Sequence, residues 1–265
     1  MIIKSSEIVT KIEEAVNNRT PFSLIRFGDG ALKLLRGFLE DKPFLLQHNR
    51  QEGIPLDFFD ELVKMWAEYA NEADFIDCHQ DYFDDNLVTR DRTSGGVWEL
   101  MRNWESWYKR IGINTDRDFC SPEAGILFFV ENAKKNLMNI LSKSSICCIT
   151  NFYEAEKILS PFVKNVSIKL IPGFHGNHYD VSYKTIMREI KEEANSYDLW
   201  LIGAGELGRL YTGEIKRCGG RAIDIGKVFD AWVTGKLDKR LRKMVSFSKH
   251  RLLFELGDSS TDNLD

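Results

Sequence analysis

Gly203, Gly205 and Gly208 stand at G-x-G-x-x-G spacing, directly after the apolar run 199–202 and ahead of a helical pattern of Leu207, Leu210, Tyr211 and Ile215. Glycine at a strand-to-helix turn lets main-chain N–H groups and a helix N-terminus approach an anion, most often a phosphate. A Gly219-Gly220 break and a second apolar run, 222–225, complete a β-turn-α-β unit. Asp224 lies about 20 residues past the first glycine, where a dinucleotide fingerprint places its ribose-binding acid. Against a dinucleotide, only about 40 residues follow the motif, too few for the rest of a βαβαβ half. The same glycines also suit a turn that merely packs a helix closely on its strand. A phosphorylated ligand, a dinucleotide or S-adenosylmethionine, and plain packing all stay open on this motif alone.

A second strand–glycine–helix unit lies near the N-terminus. Residues 22–27 are apolar except for Ser23 and Arg26, and they run into Gly28-Asp29-Gly30. Arg26 can meet phosphate with a planar fork of donors, and Asp29 can supply a carboxylate oxygen to a divalent metal. Asp29 is equally suited to capping the helix that follows. Other chemistry-bearing residues fall on loops. His175 and His178 sit among glycines in Pro172-Gly-Phe-His-Gly-Asn-His-Tyr-Asp180, where they can bind a metal or phosphate while Phe174 or Tyr179 stacks on a base. Segment 89–96 brings Arg90 and Arg92 and suits a lid, though a plain surface loop explains it better. Segment 236–251 is basic and suits lipid headgroups, a lipid-linked diphosphate or nucleic-acid phosphates; a solvated helix face explains it as well.

The elements that must carry these residues alternate. Helical spacing occurs over 5–18, 31–39, 55–71, 97–111, 153–159 and 181–194. Short apolar runs at 22–27, 75–78, 126–130, 146–150, 166–171, 199–202 and 222–225 read as strands, apolar on both faces and separated by helices. That pattern predicts an α/β, Rossmann-like fold, a mostly parallel sheet with helices on both faces. Ligands on such sheets bind outside the carboxyl ends of the strands. Arg26–Asp29, the His178 loop, the Gly203–Gly208 turn and Asp224–Asp230 can therefore share one edge. The aromatic stripe Trp98, Met101, Trp104, Trp107 and Tyr108 reads as a buried helix face.

With 265 residues, 43% hydrophobic and 29% charged, the composition is that of an ordinary globular chain. A single domain over 1–256 and a mobile polar tail over 257–265 are expected, with 40–120 partly helical. The net charge of −4 gives no global basic field for nucleic acid. No apolar run approaches the roughly 18 residues of a membrane span. The first residues lack the layout of a signal peptide. The five cysteines are scattered and suit reduced thiols, so a cytoplasmic protein, peripheral to the membrane at most, is expected. No Walker loop, nucleophile elbow or His-Glu-x-x-His motif is present.

Phe22-Ser-Leu-Ile-Arg-Phe-Gly-Asp-Gly30, taken with the Gly203–Gly208 turn and Gly219-Gly-Arg-Ala-Ile-Asp-Ile-Gly226, resembles the GT-D-type glycosyltransferases. Members show Arg-x-Gly-Asp-Gly-Glu near the N-terminus, then an apolar strand, small-residue turn, helix and Ala-Ile-Asp-Ile-Gly strand near the C-terminus. The two matches lie at opposite ends of this chain in the family's order; 40–120 has no clear counterpart. The resemblance implies a Rossmann-like core and sugar transfer from a nucleotide-diphosphate sugar, a UDP-sugar in the first instance, to a hydroxyl acceptor. It also implies a divalent metal, Mn or Mg, held by an Asp-x-Glu motif. By position the Asp is Asp29, but the Glu is Ala31, which has no ligating atom. Metal dependence is then lost, or carried by another acid such as Glu123, Asp224 or Asp230, or the chain is a nucleotide-sugar-binding protein without turnover. The site residues expected are Asp29, Asp224, Glu123 and Asp230 for chemistry. Arg26, Gly28, Gly30, Gly203, Gly205, Gly208, His175 and His178 are expected for the donor. Acceptors from glycans to modified nucleic acid fit, and a homo-oligomer is compatible.

Overall fold

A computed structural model describes residues 2–40, 53–77, 103–120, 131–173 and 176–234. Six parallel strands form the central sheet in the order β3-β2-β8-β7-β5-β6. They are β2 (Phe22–Ile25), β3 (Phe75–Ile76), β5 (Ser145–Thr150), β6 (Asn165–Leu170), β7 (Leu199–Ile202) and β8 (Arg221–Asp224). β1 (Ile2–Ile3) and β4 (Phe119–Cys120) make a separate parallel pair, joined to the end of β3 by a bridge between Asp77 and Cys120. Neither of these two-residue strands is visible as a run in the sequence. Segment 126–130, read as a strand, lies outside the described residues.

The near-continuous apolar runs are explained by two cores, one on each face. Side chains alternate across a strand. Phe27, Cys147, Ile149, Trp200, Ile202 and Ala222 enter one core, whereas Phe22, Leu24, Cys148, Leu201 and Ile223 enter the other. The first is covered by α2 (Asp29–Leu39), α3 (Phe59–Glu72), α4 (Trp104–Arg110), α7 (Lys184–Glu193) and α8 (Gly208–Arg217). The second is covered by α1 (Ser5–Asn18), α5 (Glu131–Leu141), α6 (Glu154–Leu159) and α9 (Val228–Thr234). Trp104, Trp107 and Tyr108 are buried in the first core, as the helical spacing predicts. Cys120, Cys147 and Cys148 are buried free thiols and Cys218 is a half-buried one.

Boundaries differ from the sequence expectation in physically simple ways. β2 stops at Ile25, so Arg26 already belongs to the loop. The long helix expected over 181–194 opens as a π turn over Tyr179–Tyr183 before becoming α7. α3 is entered through a short 3-10 turn, Leu56–Phe58, set up by Pro55. α8 ends in Cys218 and a left-handed Gly219 (φ 84°), after which the Gly220 N–H bonds back to Ile215 O at 2.7 Å.

Candidate functional site

The carboxyl ends of four adjacent strands, β3, β2, β8 and β7, assemble one site. Asp77 closes β3, Arg26 to Gly28 leave β2, Asp224 to Gly226 end β8, and the glycine turn leaves β7. The Phe27 N–H donates to Asp77 Oδ1 at 2.6 Å, and the Tyr108 hydroxyl donates to Asp77 O at 2.9 Å. Asp77 thereby fastens the two loops that follow β2 and β3. Gly28 then precedes α2 in extended conformation, with open space where a Cβ would stand.

Asp224 is buried beneath this edge. Its Oδ1 accepts from the Gly226 N–H at 3.0 Å. Burial raises its carboxyl to about 6; the Arg26 and Arg209 cations pull it down, Asp77 pushes it up and the Gly226 N–H pulls it down. Gly226 turns left-handed (φ 51°), and the Arg26 guanidinium lies where a side chain would be: Nη1 is 2.0 Å from the position of a Cβ. Any other residue at 226 would displace Arg26. The guanidinium is half-buried; its Nε is fully covered without a hydrogen-bond partner, and among the described residues no carboxylate lies within ion-pair distance. A cation held this way has unused binding capacity toward an anion.

The glycine turn of β7 adds a second cation. Arg209 is buried, pairs with Glu206 Oε2 at 2.6 Å, and lies over the rings of Trp66 and Phe27 at 4.9 and 5.2 Å. Glu206 reaches across to α2, where its Oε1 is 2.8 Å from the position of a Cβ on Gly30. Two turn glycines answer to packing and one to backbone shape: a Cβ on Gly203 would lie 2.5 Å from the Phe229 ring, a Cβ on Gly208 would lie 3.3 Å from Ile202 Cγ2, and Gly205 is left-handed (φ 56°).

Asp77, Glu206 and Arg209 escape a motif reading because their partners are distant in sequence or lie inside the glycine signature. The available hint was position: Asp77 follows an apolar run, Glu206 lies among the glycines and Arg209 directly follows the last of them. Asp230 is exposed in the first turn of α9, beyond Gly226. His178 is buried away from solvent, with Nε2 2.9 Å from the Tyr211 hydroxyl, and burial lowers it to about 4. Its partners are in the first core. Glu123 and His175 lie outside the described residues, as do segments 89–96 and 236–251; Asp29 opens α2, but its side chain lies outside those described. Ala31 is buried in the first core, so position 31 faces inward.

For the divalent metal that the resemblance implies, the described residues hold no group of three or more His, Cys, Asp or Glu side chains spaced for an ion, and the Asp29 and Glu123 side chains lie outside those described. Asp77, Glu206 and Asp224 are each already engaged by the chain itself.

No protein-family model and no curated protein matches the chain. Solved structures do. A structure of the domain of unknown function 1792, described as a distinct glycosyltransferase fold, superposes with TM-score 0.60 and 12% identity over 86% of this chain and 80% of its own. The chain has that glycosyltransferase fold. A selenomethionine-substituted structure of the same domain gives TM-score 0.60 at 14% identity, with the same coverage. A glycosyltransferase (DUF1792) from Streptococcus sanguinis gives 0.56 at 16% identity over 87% of this chain and 85% of that one. Among the described residues no helix is long and apolar enough to cross a membrane.

Proposed function

We propose that the protein transfers a sugar from a nucleotide-diphosphate donor, a UDP-sugar in the first instance, to a hydroxyl acceptor. The observation that carries this reading is Arg26: a half-buried guanidinium without an ion-pair partner among the described residues, at the strand-end edge of a glycosyltransferase fold. In transfer, the bond between the anomeric carbon and the diphosphate oxygen breaks and one to the acceptor oxygen forms. Negative charge grows on the departing diphosphate, and a preoriented cation there lowers the barrier. Arg26 takes that role, and the Gly203–Gly208 turn offers the main-chain N–H groups of residues 204–207 to the phosphates, those of Gly203 and Gly208 being bonded to Ile149 O and Ala204 O. Asp224 is too buried to touch substrate; it positions Gly226 and faces Arg26. Asp230, exposed at the same edge, receives the acceptor's proton. Asp29 and Glu123 are the acids proposed for the divalent ion, and His175 is proposed to contact the donor.

The deciding measurement is a thermal-shift screen of UDP-, GDP- and dTDP-sugars, NAD and S-adenosylmethionine, each with and without manganese. A ligand that binds only the folded state raises the melting temperature by mass action. Stabilisation by one nucleotide sugar, followed by its turnover with an acceptor, is expected. Stabilisation by NAD or S-adenosylmethionine alone would overturn the transferase reading, and donor binding without turnover across an acceptor panel would make the chain a binding protein.

A further inference from the structure

On the helical layer over the first core, away from the strand ends, α3, α7 and α8 enclose an open cleft of about 480 Å³. Its floor is Met65, Tyr69, Tyr183 and Met187. Along α7, Lys184, Arg188 and Lys191 recur at intervals of four and three residues, which places them on one face. Two of the three acids of α7, Glu189 and Glu193, are drawn to another stripe, where they hold Lys169 at 3.2 and 2.8 Å, and the third, Glu192, is exposed. Lys184 and Arg188 are exposed, with no ion-pair partner among the described residues. The cleft is thus cationic along one wall.

The opposite wall is built at some cost. Gly213 sits inside α8, where glycine is about 1 kcal/mol worse than alanine. A Cβ there would lie 2.2 Å from Tyr69 Cγ, so the glycine lets the Tyr69 ring lie against the helix. Arg217 stacks over that ring at 4.2 Å. So held, the Tyr69 hydroxyl donates to Glu214 Oε2 at 2.7 Å; burial, and after it this bond, raises the Tyr69 hydroxyl well above its usual value. Glu214 is itself buried, and among the described residues its Oε1 has only the Lys191 ammonium at 3.7 Å and the Cys218 thiol at 4.0 Å. One carboxylate oxygen therefore faces the cleft with acceptor capacity to spare.

We infer that this cleft binds an organic phosphate carrying a hydroxylated ring. Arg188 and Lys184 take the phosphate, Tyr183 and the two methionines cover the ring, and Glu214 Oε1 accepts from a ring hydroxyl. Glu214 lies six residues into a helix that starts at the glycine turn, about 9 Å along its axis at 1.5 Å per residue. The cleft is a second site beside the strand-end edge, and a ligand in it bears on the helix that carries Arg209.

Calorimetric titration of the full chain tests this with UMP, glucose 6-phosphate and inorganic phosphate. The reference is the Arg26→Ala variant, so that binding at the strand ends does not contribute. A ring phosphate is expected to bind that reference, to weaken about tenfold or more when Lys184→Ala and Arg188→Ala are added, and to weaken on Glu214→Gln. Whichever of UMP and glucose 6-phosphate binds tighter identifies the ring as nucleoside or sugar. Three results would overturn the inference: no binding to the reference, equal binding with and without the α7 cations, or inorganic phosphate binding as tightly as both ring compounds.

Discussion

At the scale of single residues, the guanidinium of Arg26 and the carboxyl of Asp224 form one unit over Gly226. Because Arg26 makes no hydrogen bond to the protein through Nε, Arg26→Ala is expected to leave the melting temperature within a few degrees while lowering kcat/KM for sugar transfer by about 10²-fold or more. Arg26→Lys is expected to recover only part, since an ammonium cannot make the forked contact. Steady-state kinetics beside a melt checks both. Asp224 and His178 make a second prediction. The Asp224 carboxyl, at about 6 in the fold against 3.8 unfolded, binds a proton the unfolded chain releases, so its effect on stability improves as pH falls through 6. His178, at about 4 against 6.5, stays neutral where the unfolded imidazole charges, so its contribution is lost as pH falls from 6.5 to 4. The two slopes oppose one another. Asp224→Asn removes one, so between pH 7 and 4.5 this variant is expected to lose about 2 kcal/mol more than the native chain. Urea melts at the two pH values read the difference, and equal losses would show that Asp224 does not carry the shift.

At the scale of elements, α8 is the informative helix: it begins at the glycine turn, carries Arg209 at its first turn and presents Glu214 near its end. Gly213→Ala ought to stabilise an isolated helix, yet here the new methyl meets Tyr69. Overpacking of that kind costs about 1–3 kcal/mol and outweighs the propensity gain. A net loss of stability is expected in the native chain, whereas the same Gly213→Ala step made in the Tyr69→Ala background is expected to be a gain, a coupling that a double-mutant cycle measures directly. α8 also shows what its sequence made legible. Its start after the glycines and its end at Gly219-Gly220 follow from local signals, and so does its apolar stripe. The need for Gly213 does not, because Tyr69 comes from α3, far back in the chain. Similarly, Arg26 stands out beside its glycines, but Asp77 becomes meaningful only when β3 pairs with β2. Ala31 reads as a gap in a motif, and in the fold it is a core position.

At the scale of the whole molecule, one sheet serves two cores, and this was legible from strands apolar on both faces with helices between them. The two-residue strands β1 and β4 were not, since two residues show no period. A shared sheet makes the cores interdependent. Ile12→Ala on α1 and Trp66→Ala on α3 remove fully buried side chains from opposite faces. Each is expected to cost roughly 2–5 kcal/mol and to shift one cooperative unfolding transition. A transition that splits in either variant, with fluorescence and circular dichroism no longer coinciding, would show that the cores melt separately.

The strand order also sets a timetable for synthesis. β5, β6 and β7 are neighbours in the sheet and can pair as soon as each leaves the ribosome. β2 and β3 are made first, yet β8 alone joins them to the other strands, with Phe22 against Arg221. β2 and β3 can pair with each other early, but until residue 224 has emerged that pair is cut off from the rest of the sheet. The nascent chain therefore carries β2 with its β8 edge open for most of its translation, a span in which a chaperone has the most to hold.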